Sequence, residues 1–181
     1  MKNQLLFLLS TAFLFLAGSC EKAKAPHAGH NHAVITTVRI NFTDQADQST
    51  FSFEYSDPDG VGGNNPNIET IFLDSGHVYS VTVEFWDESS NPAESVTSAI
   101  QITGFEHIVC YEALGNLMID FNITDVDGNG LPLGLESEWT VTSANDGNFK
   151  LNLRHQPGGI KDGTCAPGES DVEAIFPVGV F

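Results

Sequence analysis

From Val34 onward, apolar and polar residues alternate along the chain in short segments. The clearest segments are "FSFEY" at 51–55, "VYSVTVEFW" at 78–86 and "FKLNL" at 149–153, each bounded by clusters of Gly, Asp, Asn or Pro. Period-two alternation between turn clusters is typical of strands with one buried face. The pattern therefore predicts antiparallel sheets whose buried faces carry Val38, Ile40 and Phe42; Phe51, Phe53 and Tyr55; Tyr79, Val81, Val83 and Phe85; Leu117, Ile119, Phe121 and Ile123; and Phe149, Leu151 and Leu153.

One segment departs from this alternation. "PAESVTSAIQI", Pro92–Ile102, predicts a short helix, because Pro92 and Glu94 suit a first helical turn. A weak repeat also aligns "FEYSDPDG" at 53–60 with "FNITDVDG" at 121–128. It suggests two four-strand units and a closing strand, although strand–acidic-turn–strand sequences also recur by chance. We expect an all-β fold over 34–181: an antiparallel two-sheet sandwich, Ig-like or jelly-roll-like, with about 8–9 strands.

The first twenty residues, "MKNQLLFLLSTAFLFLAGSC", indicate export. Lys2 precedes an apolar run that is too short to span a membrane, and small residues follow it. The run ends at Cys20, which resembles the lipidated cysteine of bacterial lipoproteins. The alternative is an ordinary signal peptide cut near Ser19. We expect residues 1–20 to be a lipoprotein signal and acyl chains on Cys20 to hold the protein on a membrane.

Residues 21–33 contain little to bury and predict a flexible tether that contains histidines. Position 21 is Glu rather than the Asp that often marks inner-membrane retention, which favours the outer membrane. Some lineages mark surface-exposed lipoproteins with an acidic run after the cysteine. "CEKAKAP" lacks such a run, so the periplasmic face is the expected location.

All 24 acidic residues and six of the seven Lys and Arg residues follow Cys20, which leaves a net charge of −18. A charge of this sign excludes nucleic acid as a partner and disfavours anionic lipid. It is compatible with cation binding, but also with a simple acidic envelope protein.

Two cysteines besides Cys20 remain, Cys110 in a predicted strand and Cys165 in the turn-rich "DGTCAPG". An even pair in an oxidising compartment predicts a Cys110–Cys165 disulfide. The alternative is a buried thiol and a separate loop thiol.

"DVDGNGLPLGLE", Asp125–Glu136, matches the spacing of a calcium-binding loop. Asp125, Asp127, Asn129 and Glu136 are its candidate ligands, with Gly130 at the sharp turn. The flanks predict strands rather than helices, so an EF-hand is excluded. The alternative, which we favour, is a plain acidic turn, since Asp-Gly and Asn-Gly are ordinary turn dipeptides.

A second candidate metal site is "HAGHNH", which places His27, His30 and His32 within six residues of the tether. Such tracts bind zinc or copper, although a tether does not preorganise its ligands. His77, His107 and His155 are scattered through the domain and are expected to make local hydrogen bonds. Nucleophile-elbow, zinc-protease and Walker motifs are missing from the sequence, so no catalytic residues are predicted.

The chain resembles small Bacteroidetes-type envelope lipoproteins that are labelled automatically as "type 1 periplasmic binding fold superfamily" proteins. The resemblance rests on "VITTVRINFT", "YSDPDGVGGNNP", "VEFWDESSNPAE", "LPLGLESEW", "LRHQPGGIKDG" and "GESDVEAIFPV", together with Glu106 and His107. It implies an envelope location and no catalytic residues. The label implies alternating helices and parallel strands, which the strand pattern of this chain does not predict.

Two functional classes follow. The first is a non-enzymatic, lipid-anchored module that binds a small ligand, a metal ion or a partner protein. The second is an envelope hydrolase of the carbohydrate-active type that uses turn or cleft carboxylates. Acidic turns at one end of closed sheets would favour the first class. A concave groove with tryptophan and two facing carboxylates would favour the second.

Overall fold

The computed structural model describes residues 34–60 and 62–181, and these residues are mostly β-strand. Alternating apolar residues form the strands, and Gly, Asp and Asn clusters separate them. The helical elements are α1 (Thr97–Ile102) and a 3₁₀ turn at Gly104–Glu106. The strands are β1 (Thr37–Asp44), β2 (Thr50–Ser56), β3 (Asn67–Ile68), β4 (Ile71–Leu73), β5 (Val78–Asp87), β6 (Glu94–Ser95), β7 (His107–Gly115), β8 (Ile119–Ile123), β9 (Glu136–Val141), β10 (Gly147–His155) and β11 (Glu169–Val180).

The strands form two sheets, as expected for a sandwich. The large sheet has the order β3-β2-β1-β5-β9-β8, with β6 paired to β5, and the small sheet has the order β4-β11-β10-β7. Each described pair is antiparallel except β4 with β11, which is parallel. The predicted antiparallel sandwich is thus confirmed, apart from this short parallel edge.

The core lies between the sheets. Val38, Ile40 and Phe42 of β1 are at most 1% exposed, as their alternation predicted. Trp139 of β9 is fully buried and meets Phe149 of β10 with 4.5 Å between ring centroids. These rings bridge the sheets, and burial of one aromatic side chain contributes roughly 4–6 kcal/mol before the entropy of ordering is counted.

Three expectations need correction. The helix begins at Thr97 rather than near Pro92, because Glu94 and Ser95 pair with the end of β5 instead. The strand pairing does not reproduce the repeat. β1 pairs with β2, whereas their counterparts in the repeat are separated, with β7 in the small sheet and β8 in the large one. The strand number exceeds the predicted 8–9 because β3, β4 and β6 are very short.

Strand direction divides the sandwich into two ends. The "turn end" contains the turn after Asp44 and the turn 74–77, which precedes β5. The "loop end" contains the chain entry at Val34, α1 with its 3₁₀ turn, and the loops 124–135 and 156–168. Neither α1 nor the 3₁₀ turn, the two helical elements of the described residues, could span a membrane.

Candidate metal centre

Three metal-ligating side chains converge at the turn end. Asp44, Asp74 and His77 each offer a ligand atom, and these atoms lie within 4.8 Å of one another. Asp44 is buried, His77 is partly exposed and Asp74 is exposed. A cluster that is fixed on its inner side and open on its outer side is accessible to an ion from solvent.

The turns position the three side chains. Asp44 ends β1, and its Oδ1 accepts a hydrogen bond from the Ala46 N–H at 2.7 Å, which fixes the carboxylate against the following turn. The N–H of Asp74 donates to the Tyr79 hydroxyl at 2.9 Å. The His77 ring lies against the Tyr79 ring, with 6.2 Å between centroids. The buried Tyr79 thereby holds both Asp74 and His77 in the turn 74–77.

A short hydrogen bond joins His77 to Asp44, with Nδ1 2.6 Å from Oδ2. This bond raises the pKa of His77; partial desolvation opposes it, and the charges of Asp44, Asp74 and Asp47 add to the increase. The surrounding carboxylates thus favour a positive charge at the position of the imidazole proton. A bound metal cation supplies the same positive charge without the proton.

The donor set fits a borderline cation. One imidazole nitrogen with two carboxylate oxygens suits zinc or a similar divalent ion, and three protein ligands leave a position open. Zinc bonds of about 2.0–2.1 Å in tetrahedral geometry place ligand atoms roughly 3.3 Å apart. The metal must therefore displace the proton that His77 shares with Asp44 and widen their 2.6 Å separation by less than about 1 Å. The partly exposed ring of His77 has room for this shift.

Sequence reasoning missed this cluster. His77 was expected only to make local hydrogen bonds, and Asp44 lies 33 residues before it. The available signal was the short spacing "DSGH" at 74–77, in a turn before a strand. Only the pairing of β1 with β5 brings Asp44 to this turn.

The loop Asp125–Glu136 uses the carboxylates of Asp125 and Asp127 internally, whereas Glu136 is the exposed first residue of β9. Asp125 Oδ1 accepts a hydrogen bond from the Gly134 N–H at 2.7 Å, and its Oδ2 accepts one from the Leu135 N–H at 3.0 Å. In the part of the chain that the structure describes, Asp125, Asp127 and Glu136 do not form a converging group of three. Asn129 is an exposed residue that donates its backbone N–H to Asp127. The geometry favours the plain turn over the calcium site.

A lysine occupies the position where that loop would need a cation. Lys161 Nζ lies 2.8 Å from Asp127 Oδ2 and 2.8 Å from the Gly104 carbonyl oxygen, with both charged side chains buried. Burial disfavours the charged carboxylate, but hydrogen bonds from Lys161 and from the N–H groups of Leu131 and Asn129 outweigh it and lower the pKa of Asp127. Lys161, from the loop 156–168, therefore supplies the counterion of Asp127.

Cys110 and Cys165 form a disulfide on the outer face of the small sheet. A groove of about 450 Å³ lies beside it. Glu112 and Glu173 face this groove, but Lys150 pairs with Glu112 and Asn152 donates to Glu173. Tryptophan does not line the groove, so it lacks one of the two features that would favour a carbohydrate-active hydrolase.

Two other histidines meet at the loop end. His107 and His155 are cross-strand partners, and their rings stack with 4.9 Å between centroids. His107 Nε2 lies 3.5 Å from Asp171 Oδ2, and His155 Nε2 lies 4.0 Å from Glu106 Oε2. The sequence predicted local contacts for both rings but did not indicate that they pair with each other.

The remaining predicted site residues, Cys20, His27, His30 and His32, lie outside the described residues. Comparison with known proteins adds no further assignment: no family model, curated protein or solved structure matches this chain. The resemblance to envelope lipoproteins therefore remains an expectation from sequence, and the geometry of the site is the basis for a functional proposal.

Proposed function

We propose that this protein is a lipid-anchored, non-enzymatic module of the cell envelope that binds a divalent metal ion at Asp44, Asp74 and His77. The observation that carries the proposal is the convergence of these three side chains within 4.8 Å. Asp44 and Asp74 lie in turns at one end of the two-sheet sandwich, which also favours a binding module over a hydrolase. The expected location is the periplasmic face of the outer membrane.

Anchoring is supported by the apolar run that ends at Cys20. Cys20→Ser should leave the protein unprocessed or release it from the membrane fraction. If the Cys20→Ser protein were cleaved as the unaltered protein is and still fractionated with membranes, lipidation would not be the anchor.

Metal binding is best measured on protein purified without an affinity tag, with His27, His30 and His32 replaced by Gln. These replacements remove the zinc or copper site predicted in the tether and leave the turn end intact. Calorimetric titration with zinc should then show one equivalent bound. His77→Gln should abolish this binding, because it removes the only nitrogen ligand of the cluster.

The matched control is His155→Gln, which removes a histidine from the loop end. It should leave zinc stoichiometry and affinity unchanged. The proposal would be refuted if zinc did not bind, or if His77→Gln protein bound it as tightly as the parent. Loss of binding in the control instead would place the site at the loop end.

A further inference from the structure

Four exposed apolar side chains gather at the loop end, and we call them the loop-end apolar patch. They belong to the end of α1, the 3₁₀ turn, the loop 124–135 and the loop 156–168. Their exposed fractions are 78% for Ile102, 48% for Phe105, 62% for Val126 and 48% for Ile160. Single exposed apolar residues are normal, but four on neighbouring loops form a surface.

Lys161 brings three of these loops together. Its ammonium donates to the Gly104 carbonyl and to Asp127, both at 2.8 Å. Phe105 follows Gly104, Val126 precedes Asp127, and Ile160 precedes Lys161 in the sequence. Each loop therefore presents an exposed apolar residue directly beside the buried ion pair that joins the loops.

Close packing also restrains this surface. Gly134 has a φ of +87°, and a Cβ there would lie 2.5 Å from the Val109 carbonyl oxygen, so the loop 124–135 is pressed onto β7. The Cys110–Cys165 disulfide and Gln156, which donates to the Thr164 and Pro167 carbonyls, restrain the loop 156–168. An ordered apolar surface costs little further entropy when it contacts a partner.

The chain enters the domain at this same end. Val34 precedes β1, whose first residue, Thr37, pairs with Trp86 at the loop end. The 13 residues between Cys20 and Val34 span at most about 45 Å when extended and roughly 20 Å as a flexible coil. If Cys20 is lipidated, the loop end is held close to the bilayer at a high effective concentration.

The Lys and Arg side chains of the described residues favour contact with apolar lipid chains over contact with lipid phosphates. Lys161 is buried, and each of the other three cations in the described residues already has a partner. Arg39 pairs with Glu54 and Glu84, Lys150 with Glu112, and Arg154 donates to the Pro167 and Gly168 carbonyls. Contact with the membrane would therefore be made by apolar side chains rather than by basic residues.

We propose that the loop-end apolar patch rests on the bilayer that carries the anchor, which orients the sandwich with its turn end away from the membrane. This inference depends on the proposed lipid anchor, but not on metal binding. β1 runs from the loop end to Asp44, so its eight residues would hold the Asp44–Asp74–His77 cluster about 25 Å farther from the surface. The site would then face the aqueous compartment.

Fluorescent reporters at the two ends test this orientation. The mature chain is coupled through Cys20 to a maleimide lipid in phosphatidylcholine vesicles, with Cys110 and Cys165 kept in their disulfide. Phe105→Trp places a reporter in the patch. Phe72→Trp is the matched control, because Phe72 is 51% exposed and lies at the turn end. Brominated phosphatidylcholine should quench the added fluorescence of Phe105→Trp and leave that of Phe72→Trp unchanged.

A second substitution tests whether the patch itself makes the contact. Val126→Asp, added to the Phe105→Trp protein, should abolish the quenching while far-UV circular dichroism stays unchanged. Equal quenching of the two reporters, or quenching that survives Val126→Asp, would overturn the proposal. The patch would then be a candidate surface for a protein partner. Because the coupling is chemical, these outcomes are independent of whether cells lipidate Cys20, which the Cys20→Ser fractionation measures separately.

Discussion

The buried ion pair at the loop end allows a quantitative test of what stabilises this fold. Lys161→Met keeps the length and apolar character of the side-chain stem and removes its charge. Asp127 is then left as a buried carboxylate without its counterion, since the side chains of Lys161 and Asp127 are only 2% and 0% exposed. Removal of one partner from a buried pair costs about 3–5 kcal/mol. For a domain of this size the melting temperature should fall by about 10 °C.

Urea unfolding at pH 7 measures the loss directly. Lys150→Met is the matched control: its ion pair with Glu112 is more exposed, with side chains 26% and 54% exposed. Exposed pairs contribute roughly 0–1 kcal/mol, so this variant should be close to the parent in stability. Addition of Asp127→Asn to Lys161→Met should restore part of the loss, because the amide still accepts hydrogen bonds from the N–H groups of Asn129 and Leu131 without carrying a charge.

The pH dependence of the loss has a definite sign. The folded-state pKa of Asp127 is lowered, so its contribution is present above the unfolded value of about 3.9 and is lost as pH falls through the folded value. The difference between parent and Lys161→Met should therefore shrink toward pH 3. A loss below about 1 kcal/mol at pH 7, or one that does not change with pH, would refute the charge-pair explanation.

Three further predictions concern the disulfide, the loop Asp125–Glu136 and His77. Cys165→Ser removes a disulfide between residues separated by 55 positions and should lower the free energy of unfolding by roughly 4 kcal/mol in the chain-entropy model. Thiol titration of the unfolded, unreduced parent domain should find Cys110 and Cys165 unreactive. Calcium should shift the melting temperature no more than magnesium does, because Asp125 already binds backbone N–H groups and Asp127 already binds Lys161. A calcium-specific shift that Asp127→Ala abolishes would restore the calcium-loop hypothesis. The folded-state pKa of His77 is raised, so its pair with Asp44 stabilises the fold below the unfolded pKa of about 6.5. This contribution is lost as pH rises through the folded-state pKa. NMR titration should find a higher pKa for His77 in the parent than in Asp44→Asn.

The alternation of apolar and polar residues was sufficient to predict which strand faces are buried and which class of fold results. Val38, Ile40 and Phe42 alternate with polar residues and are buried, because a strand projects successive side chains to opposite faces. The two-sheet sandwich follows, since two apolar faces are most simply buried against each other. The limits of the short elements were less predictable: Pro92 and Glu94 suited a helix locally, but pairing with β5 made Glu94 part of a strand.

Long-range contacts decided the sites. The spacing of Asp125 and Asp127 suggested calcium, and nothing in that segment indicates that Lys161, 34 residues after Asp127, supplies the positive charge instead. Asp44 and His77 are likewise distant in sequence and meet only because β1 pairs with β5. Hydrophobic alternation specifies which face of each strand is buried, but it does not specify which strands become neighbours. That choice depends on the packing of the whole core, and it determines which charged side chains are brought together.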